Sequence, residues 1–347
     1  MKYRSLLITG GAGFIGSNLA VYFKSKHPKL KVTVFDNLIR KGSELNLPRL
    51  KNHGIKFIRG DVRYPKDLKL KFDVDLVFEC SAEPSVLAGY QNPHYIVDTN
   101  LMGTVNCLEL CRQRKADMVF LSTSRVYPYE KINAIKFKEE KTRFAWPDFK
   151  GIGTDFALNG PKTLYGATKL ASELILQEYV QAYGIKTIVN RCGVIAGPWQ
   201  FGKVDQGVFT YWMLAHYFKK PLKYIGFGAK GKQLRDLLHV EDLCALIDLQ
   251  VNALEKVSGK TYNVGGAWAV SLSLMETTSL CQKITGNLIQ IDKEKKGRPG
   301  DIIIYLTDNS SLYKDFNWKP KKNPEVILKD IFSWISKNEK QIKNLPF

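Results

Sequence analysis

The chain has 347 residues, enough for one large domain or two ordinary ones with a sizeable core. Its 44% hydrophobic and 12% aromatic content is that of a globular protein, and no apolar run reaches the roughly 18–20 residues of a membrane span. The formal net charge of +19 comes from 52 basic and 33 acidic residues, but the lysines are scattered and the densest run, KEKK at 293–296, is short. A lysine-rich solvated surface is expected, with no nucleic-acid partner, although an anionic substrate would gain some steering. Cysteines 80, 107, 111, 192, 244 and 281 form no CxxC, and the five histidines form no HxxxH or HExxH. Reduced thiols in a cytoplasmic protein are expected, and no metal. The opening MKYRSLLITGG has too short an apolar run for a signal peptide and fits a first strand.

From that strand onward two periods alternate. SLLIT (5–9), KVTVFD (31–36), IKFIRGD (55–61), DLVFEC (75–80), DMVFLS (117–122) and KTIVNR (186–191) are short, nearly continuous apolar runs, as in strands buried on both faces of a parallel sheet. Helical patterns such as IGSNLAVYFKSK (15–26) and TVNCLELCRQR (104–114) lie between them. The expected fold is α/β: a doubly wound, Rossmann-type parallel sheet. After about residue 192 the alternation weakens into aromatic and glycine-rich loops, while TYNVGG (261–266) fits a strand returning to the sheet. The predicted domains are therefore discontinuous: 1–192 with 235–267 for a dinucleotide, and a smaller C-terminal part, 193–234 with 268–347, for the substrate.

TGGAGFIG, residues 9–16, sits between the first strand and the first helix. Gly10 permits a tight turn, Gly13 lets backbone approach a pyrophosphate, and Gly16 lets helix and strand pack closely. The helix N-terminus then faces the anion. Asp36 ends the next strand, about 20 residues past the last glycine, where an adenosine ribose would sit. A carboxylate there accepts from both ribose hydroxyls and repels a 2′-phosphate, favouring NAD over NADP; Arg40 and Lys41 pull the other way.

TLYGATKLASELILQEYVQAY (163–183) predicts a helix, with Ala167, Leu170, Ala171, Leu174 and Val180 as its apolar stripe. Tyr165 and Lys169 are four apart and share a face. A free phenol, with a pKa of about 10, is a poor base near neutrality; a neighbouring ammonium favours the phenolate. Such a tyrosine can take a proton from a sugar hydroxyl while carbon gives up hydride. Thr123, at the C-terminal end of its strand, completes the set by holding the reacting hydroxyl. Capping of the following turn is the other use for the hydroxyls of STSRVY (122–127), and it suits Ser122 better than Thr123.

These motifs, with FDN (35–37), GDV (60–62), NLMGTVN (100–106), RDLLHVEDL (235–243), YNVGG (262–266) and RPGD (298–301), make nearly the whole chain resemble the extended short-chain dehydrogenase/reductases, the nucleotide-sugar epimerases and dehydratases. DNLIRKG (36–42), WQFGKVDQG (199–207), GKQLRDLLHVEDL (231–243) and GGAWAVSLSL (265–274) resemble the CDP-paratose 2-epimerase branch most. The resemblance implies catalysis by Thr123, Tyr165 and Lys169. It implies NAD contacts from Gly10, Gly13, Phe14, Ile15, Gly16, Asp36, Asn37, Arg40, Asp61, Val62, Ser81, Ala82, Asn100, Tyr165, Lys169 and Cys192. It implies contacts to a nucleotide-diphosphate sugar from Glu83, Thr123, Gln200, Gln206, Arg235 and Arg298, with structural ion pairs as the alternative use of the two arginines. It also implies a homodimer.

Dehydratases of this family carry an Asp-Glu pair just after the hydroxyl residue; here those positions are Ser124 and Arg125, which disfavours elimination. The implied reaction is epimerisation, at C2 of a CDP-3,6-dideoxyhexose, with a sugar reductase or dehydrogenase and a non-catalytic dinucleotide sensor as alternatives. RCGVIAGP places Val194 and Ala196 where the family pattern is Asn-x-Tyr-Gly, and Glu83 and Pro84 also depart from it. Residues 128–162 are expected to form a lid or substrate loop, or a surface insertion.

Overall fold

In the computed structural model, residues 1–202, 206–343 and 345 are described. Seven strands form a mostly parallel central sheet: β1 (Ser5–Thr9), β2 (Lys31–Asp36), β3 (Lys56–Arg59), β4 (Leu76–Glu79), β5 (Asp117–Thr123), β6 (Thr187–Cys192) and β7 (Thr261–Val264). Their order across the sheet is β7-β6-β5-β4-β1-β2-β3. The expected doubly wound α/β fold is present, with the returning TYNV strand at one edge. Each apolar run became a strand because both its faces are covered. Leu6, Leu7 and Ile8 of β1 are fully buried, each contributing about 1.5–3 kcal/mol from apolar burial.

β1 pairs in parallel with β2 on one side and β4 on the other, with Thr9 opposite Phe35 and Glu79. The strand order therefore reverses at β1, and an open sheet of this kind offers its ligand crevice beyond the carboxyl ends of the strands at that switch point.

The chain divides into two compact units. The first comprises Met1–Val126, Thr163–Arg191 and Leu243–Tyr262. Three of its helices matter most here: α1 (Phe14–Lys26), α2 (Gly103–Arg114) and α3 (Leu164–Tyr183). α2 and α3 pack on each other and on the sheet. α3 starts at the Thr163 cap, whose Oγ1 accepts the Gly166 N–H, and stops at Gly184, which takes a left-handed conformation.

Although Val180 packs against the core, most of the expected apolar stripe is not the fully buried face of α3. The residues it buries are Gly166, Thr168, Lys169, Ser172, Glu173 and Leu176, whereas Leu174 is 57% exposed. Polar groups can face inward because each has a partner: Lys169 and Glu173 pair with strand residues, and Thr168 and Ser172 bond to Asn100 and to carbonyls of their own helix, which offsets the cost of desolvation.

The second unit comprises Tyr127–Lys162, Cys192–Asp242 and the residues from Asn263 on. Its strand Leu234–His239 pairs antiparallel with Ser271–Ser273 and in parallel with Ile304–Tyr305 and Val194–Ala196. Helices Val208–Tyr217, Leu274–Thr285 and Pro324–Lys337 pack around a core that includes Trp212, Met213, Leu237, Ile331 and Trp334. Residues 128–162 are woven into this unit rather than inserted on its surface. Trp146 and Ile152 are buried, Ile152 bridges to Thr307, Phe144 N–H donates to Lys232 O at 2.9 Å, and Arg143 pairs with Glu276 at 2.6 Å. Among the described residues no helix is long and apolar enough to cross a membrane.

Candidate active site

The first feature at the switch point is a cradle with no room for side chains. Gly10 has φ +62°, and a Cβ on it would lie 2.7 Å from the Cys80 carbonyl oxygen. A Cβ on Gly16 would lie 2.4 Å from the Gly10 carbonyl oxygen. The turn therefore packs backbone against backbone, and α1 begins after Gly13 with no acidic residue in the first turn that holds Phe14 and Ile15. That leaves a positive helix end for a phosphate.

Asp36, at the end of β2, accepts from Ala12 N–H at 3.1 Å and Leu38 N–H at 2.8 Å. Burial raises its carboxyl above the usual range against these hydrogen bonds. Asn37 Nδ2 donates to Asp61 at 3.0 Å, and Arg63 grips the same carboxylate at 2.6 Å. Burial would raise Asp61, but Arg63 and Asn37 outweigh it and the group titrates below its ordinary range. Arg40 is half-buried, and buried Val62 accepts from Asn106 through its carbonyl at 2.8 Å.

This set fits NAD: a close-packed glycine turn, a helix N-terminus and a carboxylate at the next strand end. Asp36→Ala should raise affinity for NADP relative to NAD by about tenfold or more, since a carboxylate at the adenosine ribose would repel a 2′-phosphate. Fluorescence titration with the two reduced cofactors measures this, and an unchanged ratio would remove Asp36 from the ribose site.

Beyond the cradle, Asn100 fixes the loop after β4. Its Oδ1 accepts Glu83 N–H at 2.9 Å and its Nδ2 donates to Glu83 O at 3.2 Å, while its own carbonyl accepts from Ser172 and Thr104. The Glu83 carboxylate accepts the Ser85 N–H at 2.9 Å, and Ala82 lies in the same loop.

Thr123 ends β5, and its Oγ1 accepts the Arg125 N–H at 3.2 Å. Turn capping, the use expected of Ser122, thus falls to Thr123, while Ser122 donates to the Glu173 carboxylate. The strand pleat is the reason, because adjacent side chains face opposite sides and Ser122 faces α3. Glu173 also takes a two-pronged grip from Arg191 of β6, at 3.1 and 2.8 Å. α3 is thereby fastened to β5 and β6 one turn beyond Lys169.

Tyr165, half-buried in the first turn of α3, adjoins Gly166, where a Cβ would lie 2.0 Å from the Arg125 carbonyl oxygen. This close approach sets the tyrosine's turn against the turn that follows Thr123. Lys169 is 1% exposed; its Nζ lies 3.3 Å from Glu79 Oε2 and 4.0 Å from the centre of the Phe120 ring. Ser81 Oγ donates to the other Glu79 oxygen.

Glu79, Glu173 and Arg191 were not singled out as site residues. The signal for Glu79 is a carboxylate inside the apolar run DLVFEC, since a charge in a strand buried on both faces requires a partner.

The remaining predicted residues belong to the second unit. Gln200 donates to Ile195 O at 3.0 Å and accepts from Thr210 at 2.6 Å. Arg235 pairs with Asp301 at 3.0 Å and donates to the carbonyls of Leu234, Ile302 and Ile303, a structural ion pair of the kind weighed for it. Arg298 and Gln206 are half-buried, and Cys192 is buried at the end of β6. The charge of Arg298 opposes the burial that raises the Tyr211 hydroxyl. Lys203, Val204 and Asp205 of the WQFGKVDQG motif lie outside the described residues.

Residues 6–265 match the NAD dependent epimerase/dehydratase family. The chain belongs to that family. It is 30% identical to the CDP-paratose 2-epimerase of Salmonella typhi, over 95% of this chain and 99% of that protein. Among solved structures it is similar to the UDP-glucose 4-epimerase of Thermus thermophilus in complex with NAD, at 26% identity and a TM-score of 0.79, covering 96% of this chain and 99% of the other. It is also similar to the UDP-glucuronic acid 4-epimerase of Bacillus cereus in complex with UDP-glucuronic acid and NAD, at 25% identity and a TM-score of 0.80, with the same coverage. The protein is thus an NAD-dependent enzyme of the nucleotide-sugar epimerase/dehydratase family, and the glycine cradle with Asp36 is where its own residues suit that cofactor.

Proposed function

We propose that the enzyme is an epimerase that inverts C2 of a CDP-linked 3,6-dideoxyhexose, of the CDP-paratose to CDP-tyvelose type. The observation that carries this reading is the turn after Thr123. Ser124 and Arg125 occupy it, so no carboxylate stands there to remove water, while Thr123, Tyr165 and Lys169 are all present. The likeness to the Salmonella enzyme supports the choice of sugar and carbon.

Tyr165 is the base. Lys169, one helical turn on, favours the phenolate, which accepts the proton of the C2 hydroxyl. A Thr123 lone pair is taken by the Arg125 N–H, so the threonine O–H is left to donate to the sugar oxygen. NAD, when bound at the cradle, supplies a reversible hydride acceptor. Tyr165 returns the proton after the keto sugar has turned over. Carbon 3 of such a sugar carries no hydroxyl, so C2 itself is oxidised and no proton is drawn from a neighbouring carbon. In the second unit, Arg298 and Gln206 are the proposed contacts to the nucleotide diphosphate and sugar.

Deuterium placed at C2 should therefore remain in the product. Mass spectrometry of product formed in ordinary water reads this directly, and washout into solvent would exclude the route.

A further inference from the structure

Lys169 does not act alone. Its ammonium is almost wholly removed from water, and the fully buried Glu79 carboxylate lies 3.3 Å from it. The second Glu79 oxygen accepts from Ser81, and Ser81 Oγ also lies 3.3 Å from Thr9 Oγ1, at the foot of the glycine cradle. The Phe120 ring covers another side of the ammonium at 4.0 Å. The Cys107 thiol of α2 lies within electrostatic reach of both Glu79 and Lys169, and Tyr165 stands one helical turn before Lys169. Burial, and then the charge of Glu79, keeps that thiol protonated, well above its ordinary range.

An unpaired ammonium in so dry a place is costly, and a buried carboxylate partner offsets that cost. We propose that Glu79 is a positioning residue that keeps Lys169 charged and fixed beside Tyr165, and that links this pair through Ser81 to the cofactor cradle. The proposal rests on the reading of Tyr165 and Lys169 given above. It assigns to β4, at the switch point of the sheet, a share in setting the charge of the base on α3. A carboxylate in this place also has a cost: it offsets part of the ammonium's pull on the phenol. The balance favours retention, because an uncharged Lys169 would exert no such pull.

Glu79→Gln keeps the size and an acceptor oxygen but removes the charge, whereas Glu79→Asp keeps the charge. The pH profile of kcat is measured on the full chain loaded with NAD, and thermal unfolding midpoints on the chain without added cofactor. In Glu79→Gln the alkaline limb should move down by about one pH unit or more, a roughly tenfold loss of kcat on that side, because the buried ammonium loses its counter-charge. Glu79→Asp should keep the wild-type limb. Glu79→Gln and Lys169→Met should each lower the midpoint, and the double variant should be no less stable than the weaker single. An unmoved limb in Glu79→Gln, or losses that simply add, would overturn the proposal. If Glu79→Gln does not fold, the double variant decides: recovery supports the buried pair, and failure overturns it. Tyr165→Phe and Lys169→Met separate the two layers. Activity in both would sink the site reading itself. Inactivity in both, with an unmoved Glu79→Gln limb, would sink only the role of Glu79.

Discussion

Replacing Tyr165 with phenylalanine should lower kcat by about 10²- to 10⁴-fold, the range of a lost general base, and leave NAD binding as it was. The ring remains, so packing in the first turn of α3 is kept, and only the proton acceptor goes. Fluorescence titration of bound NADH beside steady-state turnover separates the two effects. A variant that keeps kcat within about tenfold of wild type would exclude Tyr165 as the base. A variant that loses both turnover and cofactor would show that the hydroxyl serves binding instead.

Gly166→Ala should be almost as damaging, although residue 166 brings no functional group. The added methyl would sit 2.0 Å from the Arg125 carbonyl oxygen and 2.8 Å from its carbon. Both are backbone atoms, so relief requires the start of α3 to move away from the turn that Thr123 caps. Overpacking of this kind costs about 1–3 kcal/mol, and a shift of about 1 Å in a reacting group can cost about 10²-fold in rate. A lowered melting midpoint together with a kcat reduced about 100-fold is expected. Unchanged kcat would mean that the approach of α3 to the Thr123 turn does not position the base.

Much of this was legible in the linear sequence because it depends on short-range rules. Strands buried on both faces announce themselves as unbroken apolar runs, and TGGAGFIG is a local turn whose glycines are needed wherever it occurs. Tyr165 and Lys169 share a face by helical arithmetic alone. What stayed hidden depends on distant partners. Glu79 gains its meaning from Lys169, 90 residues later, and Ser122 from Glu173, 51 residues later. Local chemistry allowed either Ser122 or Thr123 to cap the turn, and only the pleat of β5 against α3 decides between them. The buried face of α3 stayed hidden for the same reason. Apolar spacing marks a helix, but buried acceptors on the sheet settle which side turns inward. Residues 128–162 resembled a lid or an insertion because their fixed points, at Lys232, Glu276 and Thr307, lie far along the chain.

The most direct test of the central claim is a turnover count. The protein is loaded with one equivalent of NAD, freed of excess cofactor, and given CDP-paratose while proton NMR follows the sugar and absorbance follows NADH. Many equivalents of the C2 epimer per NAD, with no accumulation of NADH, is the predicted result. Conversion that halts after one equivalent while NADH builds up would contradict it and identify a dehydrogenase instead.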